Sequence, residues 1–205
     1  MKLYFSPFAC SLAARIAIYE AKLDCEFVRV NLNKKVTESG IDFWTITDKG
    51  KVSALALDSG RVLTENPAVL QYIADQAAPG SLIPVEDRED RYEVISWLSF
   101  VTSEIHKMGV YPLASPHFSN EMKAISNELV QRQLTLVNAT LQNRDYLSGN
   151  FSIADVYLFW ALTLLPKLGF PLPEALKVLP VYQERLNKRP AFRKALDEEV
   201  ALAVK

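Results

Sequence analysis

The sequence contains little that would mark an exported, metal-binding or nucleic-acid-binding protein. Its 205 residues include only two cysteines, Cys10 and Cys25, which form no zinc spacing and no disulfide framework. Lys and Arg number 23 against 24 Asp and Glu, so the net charge of −1 gives no reason to expect nucleic acid or an anionic membrane as a partner. Apolar runs are too short to span a bilayer, and strand-like sequence begins at Leu3 without a signal peptide. We therefore expect a soluble cytoplasmic protein.

Two kinds of hydrophobic pattern divide the chain near residue 80. Before it, short strands alternate with short helices: strands are predicted at 3–5, 26–31, 54–57 and 61–63, and helices at 11–22 and from Asn66, the expected N-cap. The turn Asp58-Ser59-Gly60 makes the last two strands a hairpin. A Pro- and Gly-rich linker follows, and the remainder has helical periodicity. We predict an α/β domain at 1–80 and an all-helical domain at 87–205.

Three helices are predicted in the second domain. Val94, Leu98, Val101, Ile105 and Met108 form the stripe of a packed amphipathic helix, and a second long helix covers 121–141. The segment 153–165 is apolar nearly all round, so it must be central. Its start has the capping-box pattern, with Ser152 and Asp155 three residues apart. A structural role therefore suffices for Asp155.

Cys10 is the candidate reactive residue. It lies between the first predicted strand and the first helix, where unpaired N–H groups and the helix dipole favour a thiolate and lower the pKa of a thiol. The alternative, a cysteine that only packs, stays open at this point. Cys25 borders an apolar strand and is interpreted as structural.

Polar residues also recur along one edge of the long apolar stripe. Ser99, Ser103 and His106 follow spacings of four and three residues, and this edge can face either water or a polar cleft. A histidine near a thiolate could act as acid, base or donor. The other histidine, His117, follows Pro116 in a predicted loop and is expected at the surface.

Several segments, taken in order, carry a family resemblance over nearly the whole chain. They are residues 1–11, Lys49-Gly50-Lys51-Val52, Leu63-Thr64-Glu65-Asn66-Pro67-Ala68, Trp97-Leu98, Ser103-Glu104-Ile105-His106-Lys107 and Ser152-Ile153-Ala154-Asp155-Val156-Tyr157-Leu158. The set resembles the bacterial β-class glutathione S-transferases. The resemblance implies a thioredoxin-like N-terminal domain that binds glutathione, an all-helical C-terminal domain, a homodimer, and a detoxification enzyme that conjugates glutathione to soft electrophiles without a metal.

The resemblance also implies roles for individual residues. Cys10 would face the glutathione sulfur and, with Ser11, stabilise its thiolate; Lys35 would reach the glycyl end, and the Val52 backbone would pair with the cysteinyl unit. Glu65 and Asn66 would hold the γ-glutamyl group, which agrees with the chemistry of a carboxylate beside a helix N-terminus. Ser99, Ser103 and Glu104 would come from the partner chain, and His106 would line the electrophile cleft.

The chain departs from the family pattern at several positions. Ser53 stands where the family has a cis-proline; a cis bond before another residue costs about 2.5 to 4 kcal/mol, which favours a trans Val52–Ser53 bond and a reshaped loop. Phe8 replaces a glycine, Ser99 an asparagine, and Leu164 a frequent tryptophan. Two alternatives therefore stay open: a thiol oxidoreductase or peroxidase that forms a mixed disulfide at Cys10, and a catalytically silent ligand-binding protein.

Overall fold

The computed structural model describes residues 1–85 and 88–203. It contains two compact units, one formed by Met1–Leu82 with the segment from Pro190 onward, the other by Ile83–Arg189. These units differ from the predicted domains in the last helix, which groups with the first unit although the sequence pattern placed it in 87–205. The predicted boundary at 87 and the last two residues lie outside the described residues.

The first unit contains a five-stranded mixed sheet. Its strands are β1 (Lys2–Phe5), β2 (Glu26–Asn31), β3 (Val36–Thr37), β4 (Ala54–Ala56) and β5 (Val62–Thr64), in the order β3-β2-β1-β4-β5. Strand β1 is parallel to β2 and antiparallel to β4, with Leu3 opposite Phe27 and Leu55. Strands β4 and β5 form the predicted hairpin, and Gly60 at its turn has φ 83°. Strand β3 was not predicted from the sequence.

The helices, in chain order, are α1 (Ser11–Glu20), α2 (Asn66–Gln76), α3 (Glu89–Phe100), α4 (Tyr111–Ala114), α5 (Asn120–Thr140), α6 (Ile153–Leu164), α7 (Val178–Asn187) and α8 (Pro190–Ala203). Short 3-10 turns occur at Phe43–Thr45 and Leu165–Leu168, and a π-helical segment, Val101–Val110, connects α3 to α4. None of the helices in the described part of the chain is long and apolar enough to cross a membrane.

Helix α1 is the buried centre of the first unit. Its residues from Ser11 to Ile18 are all buried, and it packs against α2 and α8. The helix ends at Glu20, two residues before the predicted end, because Lys22 takes a left-handed conformation with φ 55°. The Lys22 N–H bonds to the Tyr19 carbonyl and the Leu23 N–H to that of Ile18, which is the Schellman ending of a helix.

The predicted apolar stripe of the second unit holds only in part. Val94, Leu98, Val101 and Ile105 are buried, but Met108 is 49% exposed, so its prediction as a packed residue was wrong. From Val101 the backbone widens to π-helical bonding, and the Tyr111 N–H bonds to the His106 carbonyl five residues back. The smaller angular step per residue turns position 108 away from the buried face.

Two features hold the core of the second unit. A Cβ on Gly109 would lie 1.9 Å from a Val130 methyl, so α5 approaches the π-helical segment as closely as a glycine allows. Helix α6 is buried from Ile153 to Leu162, which confirms the central position predicted for it. Its capping box is also confirmed: the Asp155 carboxylate accepts from the Ser152 N–H, and the Ser152 hydroxyl accepts from the Ala154 N–H.

Candidate active site

Cys10 lies at the start of helix α1, at the strand-to-helix junction predicted from the sequence. It is the N-cap residue of α1, is partly buried, and makes no side-chain capping bond. Its thiol donates to the Val52 carbonyl over 3.2 Å. The Sγ atom is thus next to both the positive end of a helix dipole and the backbone of the 52–53 loop.

Ser11 contributes to this site by holding the loop that precedes Cys10. Its side chain is fully buried; its hydroxyl accepts from the Ser6 N–H at 3.2 Å and bonds to the Ser6 carbonyl at 3.3 Å. The hydroxyl is therefore bonded to Ser6, and Ser11 closes the 6–11 loop. The role at the glutathione thiolate that the resemblance implies for Ser11 stays a prediction.

Asn66 connects Cys10 to Ser53. Its amide oxygen accepts from the Ser53 hydroxyl at 2.6 Å, and its amide nitrogen donates to the Cys10 carbonyl at 2.8 Å. Asn66 is the first residue of α2 and Glu65 is the N-cap, so the prediction of Asn66 as N-cap was wrong. Its side chain is not available for capping because it is bonded to two other parts of the site.

The Val52–Ser53 peptide bond is cis. The expectation of a trans bond, based on serine in place of proline, was therefore wrong. Ser53 is buried, and its hydroxyl makes the bond to Asn66, a contact that a proline at this position does not offer.

Lys35 and Glu65 lie on the two sides of the segment that leads to Val52. The Lys35 ammonium donates to the Gly50 carbonyl at 2.7 Å and lies 5.7 Å from the centre of the Trp44 ring. Glu65 is exposed, and one carboxylate oxygen lies 3.3 Å from the Lys49 ammonium. The ion pair of Glu65 is exposed and the bond of Lys35 is partly buried, and either group could turn to a ligand of opposite charge.

The loop before Cys10 has one further contact that sequence reasoning missed. The Phe8 N–H donates to a carboxylate oxygen of Glu199 in α8 at 2.6 Å, and Phe8 has φ 60°. The positive φ explains the glycine of the family pattern at this position. No local pattern could have found Glu199, since it lies 191 residues away.

His106 belongs to the second unit and is buried there. Its Nδ1 atom lies 2.7 Å from the Tyr157 hydroxyl, and its ring meets Trp160 edge to face at 4.6 Å. Tyr157, which the sequence placed only in a helical motif, is thus the partner that orients the imidazole. When the hydroxyl donates to Nδ1, the proton of neutral His106 is on Nε2.

Ser99, Ser103 and Glu104 also lie in the second unit and are outside the core. The Ser99 hydroxyl donates to the Ile95 carbonyl, and the Ser103 hydroxyl lies 3.1 Å from the Ser99 carbonyl and 2.9 Å from a Glu104 carboxylate oxygen. Of the edge predicted from Ser99, Ser103 and His106, the two serines are exposed, whereas His106 is buried. His117 is exposed, as predicted.

Comparison with known proteins decides the family. A model of the N-terminal domain of glutathione S-transferases matches residues 1–75, and a model of their C-terminal domain matches residues 101–190. The chain belongs to the glutathione S-transferase family. The expected fold, a thioredoxin-like mixed-sheet domain with a helical C-terminal domain, is confirmed by these matches and by related structures.

Relatives of this transferase are similar over nearly its full length. The glutathione S-transferase GstA of Escherichia coli O157:H7 is 36% identical over 97% of this chain and 98% of its own. A sphingomonad glutathione S-transferase complexed with glutathione is 46% identical, with a TM-score of 0.92 over 97% of this chain and 98% of its own. The bacterial transferase BphK, in a ternary complex, is 41% identical with a TM-score of 0.93 over 97% and 99% of the two chains.

The donor set of this transferase suits a peptide ligand. Within residues 1–85 and 88–203, no group of three or more His, Cys, Asp or Glu side chains is arranged to hold a metal ion. The first unit instead offers an ammonium, a carboxylate, a thiol and backbone groups around the 49–53 segment. These are complementary to a zwitterionic peptide that carries its own thiol.

Proposed function

We propose that this chain is a transferase that conjugates glutathione to soft electrophiles, with Cys10 at the glutathione sulfur. The observation that carries the proposal is the junction of Cys10, Val52 and Asn66: a thiol at the N-terminus of α1 bonded to one loop, with its own carbonyl held by α2. A thiolate at this position is stabilised by the positive end of the α1 dipole.

The residues around this junction fit the three parts of glutathione. Lys35 would leave the Gly50 carbonyl for the glycyl carboxylate, and the Val52 backbone would pair with the cysteinyl unit. Glu65 would exchange Lys49 for the γ-glutamyl ammonium. Because the Asn66 side chain is already bonded to Ser53 and Cys10, its backbone N–H in the first turn of α2 is the group left for the γ-glutamyl carboxylate.

The reaction itself requires a thiolate and an electrophile. The glutathione thiol loses its proton to solvent, and its sulfur forms a thioether bond to the electrophilic carbon while the leaving group departs with the bonding electrons. Cys10 and the N-terminus of α1 favour the thiolate form. We assign His106, oriented by Tyr157, to the electrophile side of the reaction.

We also propose that the enzyme is a homodimer. Ser99 and Ser103 are exposed and Glu104 is half-buried, which supports their implied role at the glutathione of a partner subunit. Light scattering coupled to size exclusion would show a mass of twice the 23.1 kDa chain. The detoxification role and the cytoplasmic location stay predictions.

Glutathione-dependent thiol oxidoreduction is the second candidate. Both cysteines are free, and Cys25 lies at the start of β2 rather than in the 6–11 loop. A mixed disulfide at Cys10 would therefore persist until a second glutathione attacked it, releasing oxidised glutathione and the Cys10 thiol. The structure gives Cys10 the helix-terminal position that this chemistry also needs.

The test compares three activities in wild type, Cys10→Ala and the matched control Cys25→Ser. Calorimetry measures glutathione binding, an aryl halide measures conjugation, and a small disulfide measures reduction. The proposal is supported if the wild-type protein binds and conjugates glutathione and if Cys10→Ala lowers the conjugation rate. Cys25→Ser should match wild type. Disulfide reduction alone favours the second candidate. No binding at millimolar glutathione contradicts both and favours a silent binding protein.

A further inference from the structure

The loop that presents Cys10 is held by side chains from three helices. Ser11 of α1 bonds to Ser6, Asn66 of α2 bonds to the Cys10 carbonyl, and Glu199 of α8 accepts from the Phe8 N–H at 2.6 Å. The first two anchors lie in segments already assigned to the glutathione site. Glu199 is far from them in sequence and has no role in the proposed chemistry.

Burying the Glu199 carboxyl costs free energy, and packing alone does not explain why this residue is present. It is fully buried, burial raises the pKa of its carboxyl to about 7, and its second oxygen, Oε1, has no hydrogen-bond partner among the described residues. Arg15 offsets part of the burial cost through its charge, while the Arg15 guanidinium bonds to Glu198 at 2.6 Å. A buried carboxylate with so few compensating contacts destabilises a fold. Its bond to the Phe8 N–H is therefore the contact that can explain its presence.

That one bond acts on a backbone position with an unusual conformation. Phe8 has φ 60°, a left-handed value that is unfavourable for a residue with a side chain. The peptide lies two residues before Cys10, and the Ala9 N–H next to it bonds back to the Ser6 carbonyl at 3.0 Å. Without the Glu199 acceptor, the Phe8 N–H would lose this bond, and the loop would lose one of the contacts that hold its geometry.

We propose that Glu199 is a positioning residue of the active site: its carboxylate, carried on helix α8, holds the Phe8 peptide and so fixes the Ser6–Cys10 loop that presents the thiol at the N-terminus of α1. This inference rests on the proposed function only in the role given to Cys10. Its test uses the thiol itself and needs neither glutathione nor an electrophile.

The test compares two uncharged replacements of Glu199. Glu199→Gln keeps an oxygen acceptor for the Phe8 N–H, whereas Glu199→Leu has similar volume and no acceptor. The measurement is the midpoint of the pH profile of Cys10 alkylation by iodoacetamide, with Cys25 replaced by serine throughout. The midpoint reports the thiolate fraction rather than the exposure of the sulfur. Glu198→Gln is the matched control, since Glu198 bonds to Arg15 and Tyr19 and not to the loop.

The expected result is a midpoint in Glu199→Leu that lies at least about 0.5 pH unit above that of Glu199→Gln, equivalent to about threefold slower alkylation well below both midpoints. Because both variants lack the charge, the difference reports the acceptor alone. Equal midpoints in two folded variants, or a shift of the same size in Glu198→Gln, would overturn the proposal.

A second measurement keeps the proposal testable if Glu199→Leu does not fold. Amide hydrogen exchange in the wild type and in Glu199→Gln should show the Phe8 N–H protected at least about tenfold relative to an open loop amide. A Phe8 amide that exchanges at the open-loop rate in the wild-type protein would refute the proposal without any variant. If the alkylation midpoints and the Phe8 exchange are as expected but the wild-type protein does not conjugate glutathione, the proposed function is wrong and this inference stands.

Discussion

The two hydrogen bonds of the Asn66 side chain, to Ser53 and to Cys10, should add several kcal/mol to the free energy of unfolding. A double-mutant cycle can measure the coupling between Asn66 and Ser53. Asn66 is 4% exposed and Ser53 is 3% exposed, so neither side chain has water as a ready substitute. Asn66→Ala removes two hydrogen bonds, of 2.6 and 2.8 Å, and leaves the Ser53 hydroxyl unpaired, whereas the Cys10 carbonyl keeps its bond from the Ala13 N–H at 3.2 Å. At about 1 kcal/mol for each of the two bonds plus about 1 kcal/mol for the abandoned Ser53 hydroxyl, the loss should be about 3 kcal/mol.

The cycle uses Ser53→Ala as the second change. Alone it removes one bond and leaves the Asn66 amide oxygen unpaired, at a cost of about 1 to 2 kcal/mol. In the double variant the Ser53–Asn66 bond is lost only once and neither partner of it is left behind. The double loss should therefore be smaller than the sum of the single losses by about 1 to 2 kcal/mol.

Urea unfolding at pH 7, followed by far-UV circular dichroism, measures each variant. Gln71→Ala is the control: its amide donates within α2 to the Pro67 carbonyl, outside the site, and its replacement should cost less than about 0.5 kcal/mol. A coupling energy near zero, or an Asn66→Ala loss as small as that of the control, would refute the assignment of Asn66 as the bridge between α2, the 52–53 loop and Cys10.

Three further predictions concern separate parts of the molecule. Lys22→Gly should raise the free energy of unfolding by about 1 kcal/mol, because glycine suits φ 55° at the end of α1. Lys22→Ala should bring no gain, and the midpoints of urea unfolding compare the two variants with wild type. Burial raises the pKa of Asp155 to about 6, so the folded chain holds this proton up to a higher pH than the unfolded chain, and the stability it contributes is full below pH 4 and lost as pH rises through 6. Asp155→Asn should reduce the change in the free energy of unfolding between low and neutral pH by up to about 3 kcal/mol. If the free energy of unfolding changes equally in both proteins between pH 4.5 and 7.5, the assignment is contradicted. Burial raises the pKa of the Cys25 thiol, so limiting iodoacetamide at pH 7 should label Cys10 first in peptide mapping; earlier labelling of Cys25 would be the contrary result.

The parts of the fold set by local pattern could be predicted from the sequence. The limits of β2, the β4–β5 hairpin and the capping box of α6 follow from alternation, turn residues and a three-residue spacing, and the structure has all three. The position of Cys10 at a strand-to-helix junction was predicted in the same way, since both flanking elements have clear patterns.

The contacts that build the site could not be predicted in this way, because they join residues distant in sequence. The bonds of Asn66 to Ser53 and Cys10 depend on how α2 meets two loops, and the bond of Glu199 to Phe8 depends on how α8 packs on α1. The exposure of Met108 depends on a change from α- to π-helical bonding within an uninterrupted apolar pattern, which has no signature in the spacing itself.

The grouping of α8 with the first unit has a consequence for how the protein is made. A ribosome releases β1 to β5 long before residue 199 is synthesised, so the 6–11 loop emerges without its third anchor and α1 emerges with the face that carries Arg15 and Tyr19 uncovered. The thiol-bearing unit can therefore reach its final form only after α8 has been synthesised. A fragment expressed as residues 1–82 would be a permanent version of that nascent state.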